Sequence, residues 1–408
     1  RVPFRSADRK PLHDADSVTL LFLEDIKESF YTFDTLWAAA FYTPSRISTR
    51  FNLDRLGSRD EAVVLFTSGS EGMPKGVPLS HENLLSNVAG NLEALELDRT
   101  HSILGILPPF HSFGINTTIV LPLVSGVRVA YWPDPTDYKG VSKEIAKWKP
   151  TCFLGTPTFV SGVFSASEPS DTTSLQLIVT GAEKTPEQLF EKARSRGIRF
   201  GILEGYGITE CSPVISVNRP SQQRYGLGKP LFNVHVAIIA IDQTEKFQRV
   251  IGEQEGMIVV RGPSVFYGYL GSVASPFVKD PEGESWYVTG DLGRIIEGNL
   301  ILTGRLKRFI KIAGEMISLG ALEECLRIKW PNNQDGPVIA VEAIDQGPKI
   351  CVFSTCQVTH DVAIDHLRKS GFSPHHFPTE ARSIPAIPLL GSGKTDYISL
   401  KKLLIETK

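Results

Sequence analysis

Cysteine and methionine are scarce in this chain, with five and three residues among 408. Cys152, Cys211, Cys325, Cys351 and Cys356 are scattered, without the paired spacing of a metal knuckle. An odd, sparse set excludes a disulfide scaffold and points to reduced thiols in a cytosolic compartment. Neither sign of charge dominates: 43 Lys and Arg face 45 Asp and Glu, a formal net charge of −2. No basic field therefore invites nucleic acid. Long hydrophobic runs are missing too. The longest, around Ile115–Val124, contains Asn116, Thr117, Thr118 and Pro122, falls short of a membrane span and reads as a buried helix. Internal repeats and low-complexity segments are absent. The first residue is Arg1 rather than Met, and no signal-peptide pattern follows. That points to a fragment, a processed chain, or numbering that starts inside a longer protein.

What remains is an ordinary globular composition, 41% hydrophobic and 22% charged. The length suits two or three domains. Residues 1–60 are the least patterned, with a candidate strand at Ser17–Leu23 and helical spacing over Phe33–Tyr42. From about 62 to 240, short apolar runs (Ala62–Phe66, Ser102–Leu107, Val127–Tyr131, Thr151–Leu154, Leu175–Thr180, Phe200–Glu204) alternate with helical stretches such as Tyr138–Trp148 and Pro186–Ser195. This alternation predicts α/β architecture with largely parallel strands. From about 225 to 303 the pattern changes to strands joined by Gly and Pro turns, predicting a β-rich subdomain. Beyond Gly304-Arg305-Leu306-Lys307 a small α+β segment follows. The expected division is a large domain over 1–304 and a small C-terminal domain over 305–408.

Five motifs carry candidate chemistry. Thr67-Ser-Gly-Ser-Glu-Gly-Met-Pro-Lys-Gly76 follows an apolar strand and precedes a predicted helix. Glycines let its backbone approach a ligand closely. Thr67, Ser68, Ser70 and exposed N–H groups can donate to phosphate oxygens, and Lys75 adds a positive charge. The spacing is not that of the Walker loop. Leu203-Glu-Gly-Tyr-Gly-Ile-Thr-Glu-Cys-Ser-Pro213 offers Tyr206 to a base, Thr209 to a phosphate and Glu210 to Mg²⁺, a cation that prefers oxygen ligands. Asp291, in Ser285-Trp-Tyr-Val-Thr-Gly-Asp-Leu-Gly293, sits where a carboxylate can accept both ribose hydroxyls. Gly304–Ser318 packs four cations into a seven-residue window. Pro388-Leu-Leu-Gly-Ser-Gly-Lys-Thr-Asp396 places Lys394 on a glycine-flanked loop. Taken singly, these also fit a polar surface loop, a capped turn, a turn aspartate, a strand edge guarded by basic residues and a weak lone motif.

The five motifs follow the order and approximate spacing of the acyl-adenylate-forming superfamily, which the chain resembles over about residues 60 to 400. Pro108-Pro-Phe-His-Ser-Phe-Gly114 and Val179-Thr-Gly-Ala-Glu-Lys184 resemble two further segments of it. Within the superfamily, the wording of Phe66–Gly72, Leu203–Cys211, Lys311–Ser318 and Leu389–Lys394 is similar to one bacterial group. That group is the synthetase part of the bifunctional acyl-acyl carrier protein synthetase/2-acylglycerophosphoethanolamine acyltransferase, and Ser70 and Glu71 agree with it.

The resemblance implies a large N-terminal domain, a β-rich subdomain and a mobile C-terminal domain. It implies fatty acid activation with ATP and Mg²⁺, then delivery to the phosphopantetheine thiol of acyl carrier protein. Thr67, Ser68, Gly69, Ser70, Gly72 and Lys75 would hold the β- and γ-phosphates. Gly181, Ala182, Glu183, Tyr206 and Gly207 would flank adenine, Thr209 would meet the α-phosphate, and Glu210 would bind Mg²⁺. Asp291 and Arg305 would hold the ribose, and Lys394 would bridge carboxylate and phosphate. His111 would face the acyl carboxylate, with a satisfied core histidine as its alternative. Lys307 falls on the hinge position. The implied location is cytoplasmic, at the inner face of a bacterial membrane through a partner domain outside this chain.

Two departures qualify the resemblance. Only 66 residues precede the phosphate loop, so part of the first subdomain is expected to be missing, shortened or lost from this numbering. The group's acyltransferase carries His-x4-Asp, which His13-Asp-Ala-Asp-Ser-Val does not match, so no transferase activity is placed here. The competing readings are a fatty acyl-CoA synthetase and a catalytically degenerate nucleotide-binding module.

Overall fold

The computed structural model describes residues 37, 41, 43–67, 75–241, 247–271, 275–312, 315–332, 336–344, 349–389 and 395–405. The chain forms two compact units, residues 1–61 and 62–408. In the first, Trp37 and Phe41 are helical, with ring centroids 5.2 Å apart. A short helix, Pro44–Arg50, starts where the Thr43 hydroxyl accepts the Arg46 N–H, with Pro44 at its first turn. The strand expected over 17–23 lies outside the described residues.

β1 (Glu61–Thr67), all but its first residue in the second unit, pairs with β2 (Lys75–Ser80). This corrects the strand–loop–helix expectation for the glycine-rich segment, which instead joins two strands. Val77 and Leu79 are fully buried on alternate positions, so the chain continues extended until Ser80. There a reciprocal cap between Ser80 and Asn83 starts the helix His81–Ala94.

The main sheet contains β3 (Ser102–Gly105), β4 (Arg128–Tyr131), β5 (Cys152–Gly155), β6 (Leu177–Thr180), β7 (Ile202–Gly207), β8 (Val214–Val217) and β9 (Lys229–Pro230). Its spatial order is β4-β3-β5-β6-β7-β8-β9. The first four pairings are parallel and the last two antiparallel. β5 and β6 are buried throughout, which is why they read as unbroken apolar runs. Helices Tyr138–Trp148 and Glu187–Ser195 bury one stripe each, Val141 with Ile145 and Leu189 with Phe190 and Ala193.

The β-rich stretch is an antiparallel sheet of β10 (His235–Ile239), β11 (Gly256–Arg261), β12 (Phe277–Lys279), β13 (Ser285–Ile296) and β14 (Asn299–Arg305). β13 is one long strand that carries Gly290 at φ +78°, where a side chain would be strained. A hairpin follows, β15 (Phe309–Ile312) with β16 (Glu315–Ser318). The last sheet is β17 (Ile339–Ile344), β18 (Lys349–Ser354) and β19 (Glu380–Ser383), in that order. Helices Leu319–Lys329, His360–Lys369 and Tyr397–Ile405 accompany it. Two apolar clusters lie wholly within residues 310–404. No helix among the described residues is long and apolar enough to cross a membrane. The five cysteines are unbridged.

Candidate active site

Three parts of the second unit converge on one region. β7 ends in a turn, Thr209–Cys211, that carries Thr209 and the buried Glu210. Gly207 is required just before it, because a side chain there would collide with the Pro213 carbonyl. The turn is closed by Ile208 N–H donating to Pro213 O at 2.9 Å. Its outer wall is the helix His81–Ala94. The buried Asn87 carboxamide donates to Cys211 O at 3.2 Å and Val214 O at 2.7 Å. It also accepts from Asn91 and Asn116, and Asn116 donates to Ser212 O. Buried backbone groups at a tight turn demand such partners.

The second part is β13. The Asp291 carboxylate, 1% exposed, accepts the Tyr206 hydroxyl at 2.5 Å and Arg305 Nε at 2.6 Å. Asp291 and Arg305 are register partners across the β13–β14 hairpin, so strand pairing delivers the ion pair. Burial, then the Asp291 charge, pushes the Tyr206 hydroxyl well up, so it remains a donor. A ribose would meet a carboxylate with both oxygens already engaged, each keeping a further lone pair.

The third part is the segment 266–270, which the sequence analysis did not single out. Phe266 N–H donates to Glu210 O at 2.9 Å, and Leu270 N–H donates to Gly76 O at 2.9 Å. Between them the Tyr269 hydroxyl donates to Glu210 Oε1 at 2.7 Å and meets the Tyr287 hydroxyl at 3.0 Å. Lys75 Nζ lies over the Tyr269 ring, 5.1 Å from its centroid. Burial, followed by the Glu210 charge, pushes both tyrosine hydroxyls up and keeps them protonated. The same causes push up the Cys211 thiol, which is therefore no nucleophile. An aromatic in Phe266-Tyr-Gly-Tyr269 carries no sequence mark that separates a site residue from a core residue.

The remaining candidates divide. Ser112 Oγ lies 3.2 Å from Thr209 Oγ1, which brings the His111 segment to the turn. His111 Nδ1 itself accepts the Phe113 N–H at 3.2 Å, capping its own short helix. Gly181 lies against the Gly205 backbone and the Phe113 ring, and Ala182 takes φ +69°. Glu183 accepts the Thr158 hydroxyl at 2.7 Å. The buried Glu204 accepts the Thr185 N–H at 2.7 Å and so ties the 181–185 segment to β7; burial raises its carboxyl. Thr67 ends β1, and Lys307 lies in the turn Leu306–Arg308. Ser68, Gly69, Ser70, Gly72 and Lys394 lie outside the described residues. Among the described residues, no group of three His, Cys, Asp or Glu side chains could hold a metal ion unaided.

Residues 10–270 match the family described as AMP-binding enzyme. Among curated relatives, the chain is 28% identical over 356 residues to the medium-chain fatty-acid–CoA ligase of Escherichia coli K12, covering 84% of this chain and 61% of the relative. It is 30% identical over 360 residues to a probable 4-coumarate–CoA ligase 3 of Dictyostelium discoideum, covering 84% and 63%. The chain thus spans less than two thirds of these ligases' length. Among solved structures, ATP-bound MatB from Rhodopseudomonas palustris superposes with TM-score 0.72 at 22% identity, covering 86% of this chain and 69% of that one. MenE from Bacillus subtilis, in complex with ATP and magnesium ion, gives 0.71 at 23% identity, covering 85% and 71%. These likenesses show a shared α/β fold. With the family match extending over well more than half of its length, the chain belongs to the AMP-binding enzyme family.

Proposed function

We propose that this chain activates a fatty acid with ATP and Mg²⁺ as an acyl adenylate and transfers the acyl group to the phosphopantetheine thiol of acyl carrier protein. The observation that carries the reading is the convergence of Lys75, Glu210 and Asp291 through Tyr269, Tyr206 and Arg305, from segments more than two hundred residues apart.

A carboxylate is a poor acyl donor because oxide is its leaving group. In the proposed first step a carboxylate oxygen attacks the α-phosphorus of ATP, the bond to the β-phosphate oxygen breaks, and pyrophosphate leaves. In the second, the thiol sulfur attacks the acyl carbon, loses its proton and expels AMP. Both steps need positioning and charge neutralisation more than covalent catalysis. Glu210 fits a metal ligand: it is buried, oxygen-donating and accepts from one side-chain donor among the described residues. Bound Mg²⁺ would offset phosphate charge. Lys75 would hold the departing pyrophosphate, Thr209 the α-phosphate, and Asp291 with Arg305 the ribose. Lys394 would bridge the carboxylate and the phosphate, with Lys307 as the hinge that moves it between steps. The proposed setting is cytoplasmic, with any membrane-linked domain outside this chain.

Transfer to CoA is the second reading, favoured by CoA ligases among the relatives. Hydroxamate trapping with a panel of fatty acids tests activation. Product from at least one acid is expected, and no product from any acid overturns the reading in favour of a nucleotide-binding module. Acyl transfer compared between holo-carrier protein and CoA then decides the acceptor.

A further inference from the structure

The segment 266–270 is a strap across the site. Its two ends are pinned by main-chain hydrogen bonds, Phe266 N–H to the Glu210 carbonyl and Leu270 N–H to the Gly76 carbonyl, both at 2.9 Å. One end is thus fixed to the turn that presents Glu210, the other to the strand that leaves the glycine-rich loop. Tyr269 stands between the pins. Its hydroxyl reaches Glu210 Oε1 at 2.7 Å, and its ring face lies under Lys75 Nζ at 5.1 Å. Edge-on contacts from Phe266, centroids 4.9 Å apart, and the Tyr287 hydroxyl at 3.0 Å hold the ring in that orientation.

We propose that Tyr269 is a positioning residue that fixes the Glu210 carboxylate and the Lys75 ammonium at one spacing, so that a nucleotide's phosphates and their divalent cation are met together. The inference rests on reading Glu210 as the cation's ligand and Lys75 as a phosphate contact. A donor hydrogen bond to one carboxylate oxygen orients the other toward a metal, and loss of such a partner weakens metal binding by about 10- to 100-fold. The ring face adds a cation–π attraction that keeps the lysine beside the carboxylate.

The test is Mn²⁺ binding in the presence of the α,β-methylene analogue of ATP, read by electron paramagnetic resonance, with metal-free binding of the analogue measured alongside. Tyr269→Phe, which keeps the ring and removes the hydroxyl, should raise the Mn²⁺ dissociation constant about tenfold. Metal-free affinity should stay within about twofold, because the ring under Lys75 remains. Tyr269→Leu should in addition weaken metal-free binding. An unchanged Mn²⁺ affinity in Tyr269→Phe, alongside a loss in Glu210→Gln, overturns the inference alone. An unchanged affinity in both variants overturns the reading of Glu210 beneath it as well. Equal losses of metal and metal-free binding in Tyr269→Phe mark a packing defect and also overturn the inference.

Discussion

Glu323 and Glu210 are both buried carboxylates, in different parts of the second unit, and differ in how much of their acceptor capacity is used. Glu323, on the helix Leu319–Lys329, accepts from Arg308 at 3.0 Å, the Tyr397 hydroxyl at 2.8 Å and the Val341 N–H at 2.9 Å, and forms an ion pair with Arg327 at 2.8 Å. A carboxylate offers about four lone-pair sites; here three accept hydrogen bonds and a second arginine pairs with the charge. Glu210 accepts from one side-chain donor, Tyr269, among the described residues. A saturated carboxylate pins a fold together. A buried one with spare lone pairs keeps room for another partner, such as the cation proposed above for Glu210. Residue type and burial are the same in both; the donor count tells them apart.

The sharpest way to break this contrast is to remove each charge in turn. Glu323→Leu strands the buried Arg308 guanidinium and should cost about 3–5 kcal/mol of unfolding free energy by denaturant titration. Glu210→Gln keeps the Tyr269 hydrogen bond and should change stability by about 1 kcal/mol or less. The same variant should slow ATP–pyrophosphate exchange by about 10²- to 10³-fold. Similar stability losses in the two variants would erase the distinction.

Glu204 tests the intermediate case, with a backbone donor and a carboxyl raised by burial. A carboxyl whose folded-state pKa lies above its unfolded value binds more protons when folded. Stability therefore falls as pH rises from the ordinary glutamate range through the raised pKa. Glu204→Gln keeps an acceptor for the Thr185 N–H and removes the charge. It should flatten that slope in denaturant titrations across pH 4 to 8, and an unchanged slope would place the proton uptake elsewhere.

The smallest effect is expected at the surface. Lys184, beside the 181–183 segment, pairs with Glu324, neighbour of Glu323 in sequence. Both side chains are more than half exposed. Lys184→Ala should shift stability by less than about 1 kcal/mol, measured in the same titrations. A larger loss would mean that this contact, rather than Glu323, fixes the helix Leu319–Lys329.

The parallel strands and their helices were legible in the sequence because burial on both faces leaves unbroken apolar runs such as Cys152–Gly155 and Leu177–Thr180. The Thr209–Glu210 segment stood out because a hydroxyl and a carboxylate follow a predicted strand side by side; the steric need for Gly207 before it appears only in the fold. The strap was not. Tyr269 is one aromatic among several, and its role depends on two main-chain pins that only the fold supplies. Asn87 and Glu323 were hidden for the same reason: a polar residue in a helix reads as exposed until its partners are known. β2 was missed because Lys75–Ser80 is short and runs straight into a strong helix start.

Arg305 is held by Asp291, and Arg308, three residues on, is held by Glu323. Each arginine therefore belongs to a different anchor, and only Leu306 and Lys307 lie between them. Any pivot at this junction is confined to a bearing two residues long, with an ion pair as the collar on either side. Were the hinge proposed at Lys307 to turn, the Asp291 pair would keep Arg305, and the ribose contact proposed for it, in place.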